Sequence, residues 1–441
     1  MTGPVALPES CRYLMGAVVD SAGVIRGKQV DRRRADVFGS VGLGASPSWG
    51  VFCIDDGIAF TPSFGVVGDM RLRADLAAVA DLGDGLAWAP IDLITQDGEE
   101  LPLCYRGAVR RQVAAAAGHG LAVQSAMEIE CVLFDETGDA VAGSGGPSYG
   151  IRPLLEQSAF VEDVYESFER AGLEIEQLHA EYGPGQFELS LAPADPLRAA
   201  DSNVLARILL CRAGRRHGIT VSFSPQPIAR AVGSGMHVHL SFARDGVPLL
   251  SGGDGPAGLT SEGAAIVAGL VDGLPEAIGV LAPSLLSHLR LQPQHWSGAF
   301  ACWGVENREA AVRLCHATAG NPRGANAEVK PVDGSANPYV VQATLVGLAL
   351  DGLERGRALP PAVDVDPASL DEATLNELGA VPIGRDQETG IDRLEASRRM
   401  TDILGAPLVE ALVAVRRHEL GLAKNDELDS LVRRFRFAWS S

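Results

Sequence analysis

A chain of 441 residues is too long for one compact core, so two domains are expected. Its 46% hydrophobic and 21% charged residues are those of a globular protein, which excludes the disordered and fibrous classes. With 37 Lys and Arg against 56 Asp and Glu, the net charge of −19 argues against nucleic acid or an anionic membrane as partner.

The N-terminal MTGPVALPESCRYLMG has no basic segment followed by an apolar one, as a secretory leader would. The runs YLMGAVVD, WGVFCIDD and GIAFTPSFGVV are β-like and broken by Gly, Pro and Asp. They predict a small strand-rich domain over 1–105, followed by a larger domain over 106–441. Arg32, Arg33 and Arg34 lie between Asp31 and Asp36, which reads as a solvated turn or subunit contact. RGAVRRQVAAAAGHG predicts a helix stopped at Gly118 and Gly120, and the strand MEIECVLF follows. Residues 136–150 read as an exposed loop. Two amphipathic helices are expected in SAFVEDVYESFERAG and DPLRAADSNVLARILLCRAGRRHG, with the strand QFELSLA between them and VSFSPQP and SGMHVHLSF after them. This mixed order predicts an α+β second domain, not a regular βαβ alternation. RGRALPPAVDVDPASLDEATL is a Pro- and acid-rich connector before a helical C-terminus. No apolar run is seen that approaches the roughly 20 residues of a bilayer span. The seven cysteines form no CxxC pair, so reduced thiols and a cytoplasmic location are expected.

Side chains alternate faces along a strand. In MEIECVLF, Glu128 and Glu130 therefore share one face, opposite Met127, Ile129, Cys131 and Leu133. The same pattern groups Gln186 with Glu188 and Ser190, His237 with His239 and Ser241, and Glu328 with Lys330. One such strand is ordinary for a half-solvated antiparallel sheet. Four of them, bearing carboxylates and imidazoles, converge on a pocket if they share a sheet. Clustered carboxylates are tolerable when divalent cations oppose them, and this thiolate-free set suits Mg²⁺ or Mn²⁺ over structural zinc. The idea requires that no lysine or arginine already stands in the cation's place. Mg²⁺ held by few carboxylates usually also holds phosphates, and Arg290, Arg308, Arg313 and Arg323 follow downstream. There is no GxxxxGK[ST] loop and no GxGxxG, so a nucleotide site would be of another kind.

The ordered segments AMEIECVLF, HAEYGPGQFELSL, GSGMHVHLSF, ENREAAVRL and AEVKPVDGSANPY resemble the glutamine synthetase superfamily over about 125–340, and RLEASRRMTDIL does so loosely. The resemblance implies an N-terminal β-grasp-like domain and an α+β catalytic domain. It also implies a homo-oligomer of stacked, dodecamer-like rings with active sites between neighbouring subunits. In that family ATP phosphorylates the side-chain carboxylate of glutamate, and ammonia or an amine then displaces phosphate. Glu130, Glu181 and Glu188 match the ligands of one metal ion; Glu128, His237 and Glu328 match those of a second, on the ATP phosphates. Arg308 matches the arginine that stabilises the transferring phosphoryl group, and acts with Glu128 and Glu130 in catalysis. His239, Ser241, Arg313 and Arg323 fall on the ATP side, and Gly233 and Arg290 hold the amino acid.

The departures cluster at the amine and amino-acid ends. Val232 replaces an asparagine before Gly233, and Lys330 an arginine that grips the α-carboxylate, keeping charge but not bidentate geometry. Asn326 stands for a nucleotide-side arginine, and Trp296 for a flap glutamate at the ammonium site. GASPSWGVFCID offers no counterpart to the ammonium-binding aspartate loop, and the C-terminal region has no tyrosine where some bacterial members are adenylylated. An ATP- and Mg²⁺-dependent ligase forming a γ-glutamyl amide from an organic amine is therefore expected. The alternatives are ordinary glutamine synthesis, a non-catalytic assembly protein, and a phosphotransferase that stops at the acyl phosphate or uses a guanidino acceptor.

Overall fold

The computed structural model describes residues 7–141, 147–424 and 426–440. The leader reading falls partly on residues 1–6 and the loop expected over 136–150 partly on 142–146; those residues lie outside the described ones. The first sheet comprises β1 (Tyr13–Val19), β2 (Ile25–Asp31), β3 (Leu43–Ala45), β4 (Met70–Ala74), β5 (Ala80–Asp81) and β6 (Leu86–Ile94). Its order is β2-β1-β6-β4-β3, with β5 on β6, and only β1 and β6 run parallel.

Two of the three β-like runs expected here form no strand. In WGVFCIDD the chain turns through a 3₁₀ segment, Pro47–Val51, opened by the Ser46 hydroxyl accepting from the Ser48 amide. Residues 57–67 are loop, tied by a single bridge between Phe52 and Ile58. Pro47 and Pro62 cannot donate to a ladder, and hydrophobicity alone does not reveal that. Arg32–Arg34 is a short exposed turn, as the flanking acids suggest.

The second sheet holds β7 (Leu121–Phe134), β8 (Ile175–Ala180), β9 (Gln186–Leu191), β10 (Thr220–Ser222), β11 (Val238–Arg244), β12 (Val247–Pro248), β13 (Phe300–Val305), β14 (Ala310–Cys315), β15 (Asn326–Val329) and β16 (Val381–Pro382). Its order is β16-β13-β14-β15-β11-β7-β9-β8, with β10 on β7 and β12 on β11. Only β13 and β14 are parallel. Met127, Ile129, Cys131 and Leu133 enter the core, and the glutamates between them face away. Helices Tyr105–Gly118 and Pro196–Arg216 pack on β7, and helix Ser261–Leu281 on β13 and β14. This mixed architecture is the α+β class the sequence indicated.

Helix Ser261–Leu281 corrects one expectation. It is 21 residues long with a mean hydropathy of 1.7, so by length and composition it is apolar enough to cross a membrane. Yet 78% of its apolar window is buried inside the protein, which makes it a core helix. It packs on helix Pro338–Glu354 so closely that a Cβ on Gly269 would stand 2.6 Å from the Gly352 Cα. Among the described residues none of the seven cysteines is in a disulfide.

The two sheets share one apolar core and are tied by buried polar contacts. Arg106, 2% exposed, binds Asp201 through Nε at 3.0 Å and Nη2 at 2.9 Å. The same guanidinium reaches Asp92 on β6 at 2.8 Å and Asp75 at 3.0 Å. The Asn337 amide donates to the Val19 carbonyl at 2.8 Å, and the Trp439 indole to the Ala22 carbonyl at 2.9 Å. Nearby, Gly23 has φ of 79°, and a Cβ there would overlap the Ser335 carbonyl at 1.9 Å. Removing Arg106 strands buried carboxylates, so Arg106→Ala is expected to cost about 3–5 kcal/mol, read as a lower urea midpoint; a midpoint equal to wild type would contradict this coupling.

Candidate active site

Strand register assembles the site. Across β7, β9 and β8, Glu130 stands opposite Glu188, and Glu188 opposite His179. Across β11, β15 and β14, His239 stands opposite Glu328, and Glu328 opposite Arg313. Just before β11, the Glu128 amide donates to the His237 carbonyl at 3.0 Å, which sets those side chains abreast. Directly paired residues on one face are about 5 Å apart, so carboxylates distant in the chain meet. They line a cavity of about 800 Å³.

Twelve of the expected residues line it: Glu128, Glu130, Glu181, Glu188, Gly233, His237, Arg290, Trp296, Arg308, Arg313, Glu328 and Lys330. His239 lies behind Glu128, with Nε2 3.1 Å from its Oε1. Ser241 is one pair further along β11, opposite Gln124, and does not line the cavity. Arg323 is not brought in either. It is exposed on the loop after the Thr318–Asn321 turn and donates to the Gly246 carbonyl at 2.8 Å. Its proximity in sequence to the other arginines carried no information about that loop's direction.

One end of the cavity has too little positive charge. Glu181 accepts from the Tyr182 amide at 2.7 Å and lies 3.1 Å from His179 Nε2, contacts that keep its pKa low despite burial. His179 is raised in turn, chiefly by its hydrogen bond to Glu181. Glu130 accepts from the Gln186 amide at 2.9 Å. Glu188 is given less help: His179 Nε2 is 3.9 Å away and Lys330 acts weakly. Burial, and then the charges of Glu128, Glu130 and Glu181, push its pKa up to about 10. His179, Glu181 and Glu188 bring ligand atoms within 4.8 Å of one another. A carboxylate forced to keep its proton beside two others fits a hard divalent cation.

At the other end the protein supplies much of the charge itself. Glu128 is 2.9 Å from His237 Nδ1 and is held well below the usual carboxylate range although burial opposes this. Glu328 accepts from Lys330 Nζ at 3.0 Å and from Arg313 Nη1 at 3.0 Å. Burial would raise its pKa, but Lys330, His237 and His239 hold it at about 2. Burial likewise opposes charge on His239, yet contacts with Cys315 and Glu128 keep its pKa well above the ordinary histidine value. The Asn326 amide donates to the Gly324 carbonyl, which turns its oxygen to His239 Nδ1 at 2.8 Å; both ring nitrogens then donate. Glu128, His239 and Glu328 also group their ligand atoms within 4.8 Å. A cation at this end would therefore share Glu328 with Lys330 and Arg313, where the sequence reading required that place to be free.

His179 and the aromatic rim of Tyr149 and Tyr182 were missed from sequence. His179 is two residues before Glu181, so the alternation that placed Gln186 beside Glu188 could have placed it too. Arg290 is buried, with Nη2 3.0 Å from His237 Nε2 and 3.2 Å from the Lys330 carbonyl. Its Nη1 has no hydrogen-bond partner among the described residues. A buried, unpaired guanidinium donor on a residue lining the cavity would gain from an anionic group of a substrate.

A family model described as the catalytic domain of glutamine synthetase matches residues 102–430. A γ-glutamylpolyamine synthetase, GlnA3, of Streptomyces coelicolor is 40% identical over 433 residues, covering 96% of this chain and 92% of that protein. A glutamine synthetase of Halobacterium salinarum is 28% identical over 362 residues, covering 80% of this chain and 79% of its own. Among solved structures, a glutamine synthase homologue superposes with a TM-score of 0.86 at 28% identity, over 98% of this chain and 99% of that one. A GmaS–ADP complex, at 24% identity and a TM-score of 0.83 over 97% of each chain, shares the fold.

Because Glu188 holds a proton below about pH 10, a divalent cation must displace that proton to bind. Mn²⁺ affinity, measured by paramagnetic resonance titration, is thus expected to rise about tenfold per pH unit between roughly pH 6.5 and 8.5. Glu188→Gln should flatten that slope. A wild-type affinity independent of pH would remove this argument for the cation.

Proposed function

The chain belongs to the glutamine synthetase family, and from that premise we propose that it is an ATP-dependent ligase joining the γ-carboxylate of glutamate to an organic amine. A glutamate carboxylate oxygen attacks the terminal phosphorus of ATP, ADP leaves, and an acyl phosphate forms. The amine nitrogen then attacks the carbonyl carbon, phosphate leaves with the C–O bond electrons, and the nitrogen loses a proton, giving a γ-glutamyl amide. The observation that carries this reading is the contrast between the two parts of one cavity. The cavity keeps the carboxylates and arginines suited to phosphoryl chemistry, whereas Trp296, also in its wall, matches the position where ammonium-using members have a carboxylate. The similarity to a γ-glutamylpolyamine synthetase supports polyamines as the amine class.

Each residue's part follows from its chemistry. Glu130, Glu181, Glu188 and His179 would hold one Mg²⁺ or Mn²⁺, and Glu128, His237 and Glu328 a second. Such ions polarise phosphoryl oxygens and align ATP with the incoming carboxylate. Arg308 and Arg313 donate to phosphoryl oxygens as charge develops. Arg290, Lys330 and the Gly233 backbone receive the amino acid, an assignment supported by the open Nη1 of Arg290. His239 fixes Glu128 from behind, and Ser241 lies toward the nucleotide. The reading includes a ring-shaped homo-oligomer in the cytoplasm. Exposed Phe60, Val66 and Val67 in the loop after β3 support a subunit contact there.

Phosphate release is expected to require both glutamate and an amine, with 1,4-diaminobutane exceeding ammonium at least about tenfold in kcat/KM, the scale of one or two lost apolar or cation–π contacts. Equal turnover with ammonium would instead favour glutamine synthesis. Glu128→Gln, with unchanged circular dichroism, should lower kcat/KM for ATP about a hundredfold; wild-type activity in this variant would refute the role of the carboxylate cluster.

A further inference from the structure

The loop carrying Trp296 is held by a residue to which neither the family reading nor the phosphoryl chemistry gives a part. Gln294 and Trp296 have φ of 64° and 52°, a left-handed conformation that side chains other than Gly rarely adopt. The Gln294 amide donates to Glu309 Oε2 at 3.0 Å, and the Trp296 amide to Glu309 Oε1 at 3.0 Å. One carboxylate therefore binds both left-handed residues. Glu309 is nine-tenths buried, and its own amide donates to Asn307 Oδ1 at 3.0 Å. Asn307 is anchored in turn on the Val363 and Val365 carbonyls at 2.7 and 3.0 Å.

The latch has a clear product. It presents the Trp296 side chain, 45% exposed, at the cavity wall beside Tyr182. The two rings meet edge to face, with centroids 6.5 Å apart and planes at 71°. The Arg308 guanidinium lies 5.8 Å from the indole centroid. Rings set at a steep angle make a corner whose π-faces attract ammonium groups and whose edges accept methylenes. Glu309 follows Arg308 directly, so one short segment sets both the phosphoryl arginine and the aromatic corner.

We propose that Glu309 is a positioning residue for amine specificity, which latches the Gln294–Trp296 loop so that Trp296 and Tyr182 form an aromatic corner recognising the distal ammonium of an alkyl diamine or polyamine. This rests on the ligase reading and names what its amine site selects. The nucleophilic end of the diamine enters toward the acyl group. Its second ammonium, a few methylenes away, rests against the phenol and the indole face turned from Arg308.

The test compares 1,4-diaminobutane with 1-aminobutane, which has the same carbon chain but one ammonium. In the full-length protein the ratio of their kcat/KM values is expected to fall about tenfold on Glu309→Gln and again on Trp296→Leu, the scale of a desolvated cation–π contact. A merely structural role for Glu309 would lower both amines together and leave the ratio unmoved. A ratio within twofold of wild type in either variant overturns the proposal, and Glu309→Asp is measured in place of Glu309→Gln if the latter fails to fold. Hydroxylamine, which needs no distal contact, separates the two levels of the argument. If the wild type forms no γ-glutamyl hydroxamate from ATP and glutamate, the ligase reading itself fails. If it does, and the diamine preference survives either substitution, only the latch is wrong.

Discussion

Five glutamates on neighbouring elements cannot share one buried cavity unless something opposes their charge, and the rest of the structure is arranged around that constraint. Repulsion between carboxylates a few ångströms apart is strong where water is scarce. The protein meets it unevenly. Near Glu328 it supplies Lys330, Arg313 and two histidines, and the carboxylates there are held ionised. Near Glu188 it supplies His179, 3.9 Å away, and a weaker pull from Lys330, and burial with the neighbouring carboxylates pushes the carboxyl's pKa up. The unsatisfied end is where a dication adds most, and the satisfied end is where a chain cation must make room for one.

A sheet can impose such a cluster because its backbone hydrogen bonds compensate for what the side chains resist. β7 pairs with β9, β10 and β11, so its 14 residues are tightly registered. A slip of one residue would turn Glu128 and Glu130 into the core and expose Met127 and Ile129. Apolar helices behind the sheet make that exchange prohibitive. The Arg106 cluster, Asn337 and Trp439 then tie the first sheet to the second across their shared apolar core.

The part of the cavity proposed to receive the amine is built differently. It is made from the loop before β13 and from Tyr182 in the loop between β8 and β9, with left-handed residues, aromatic faces and a carboxylate used as a clasp. Loops carry few backbone pairings and can change without disturbing a ladder. Under the proposed reading, most of the carboxylates assigned to phosphoryl chemistry sit on registered strands, whereas Trp296 and Tyr182, assigned to the amine, sit on loops.

Alternation is a local property, so the shared faces of Glu128 with Glu130, Glu188 with Gln186, and Glu328 with Lys330 were legible in the sequence, as were the long helices and the α+β class. The ordered motifs carried the family. Hydropathy misled at WGVFCIDD, which follows Pro47 into a 3₁₀ turn, and at GIAFTPSFGVV, which Pro62 interrupts, while the apolar stretch of Ser261–Leu281 was overlooked and proved to be a core helix. What only tertiary structure decided were relations between residues far apart: Glu130 against Glu188, Arg106 among three aspartates, Arg323 turned away, and Lys330 with Arg313 on Glu328. Which face a side chain takes is dictated by its own backbone, but what it meets there depends on register and loop direction. Those are set by the packing of the whole core, and no short stretch of sequence contains them.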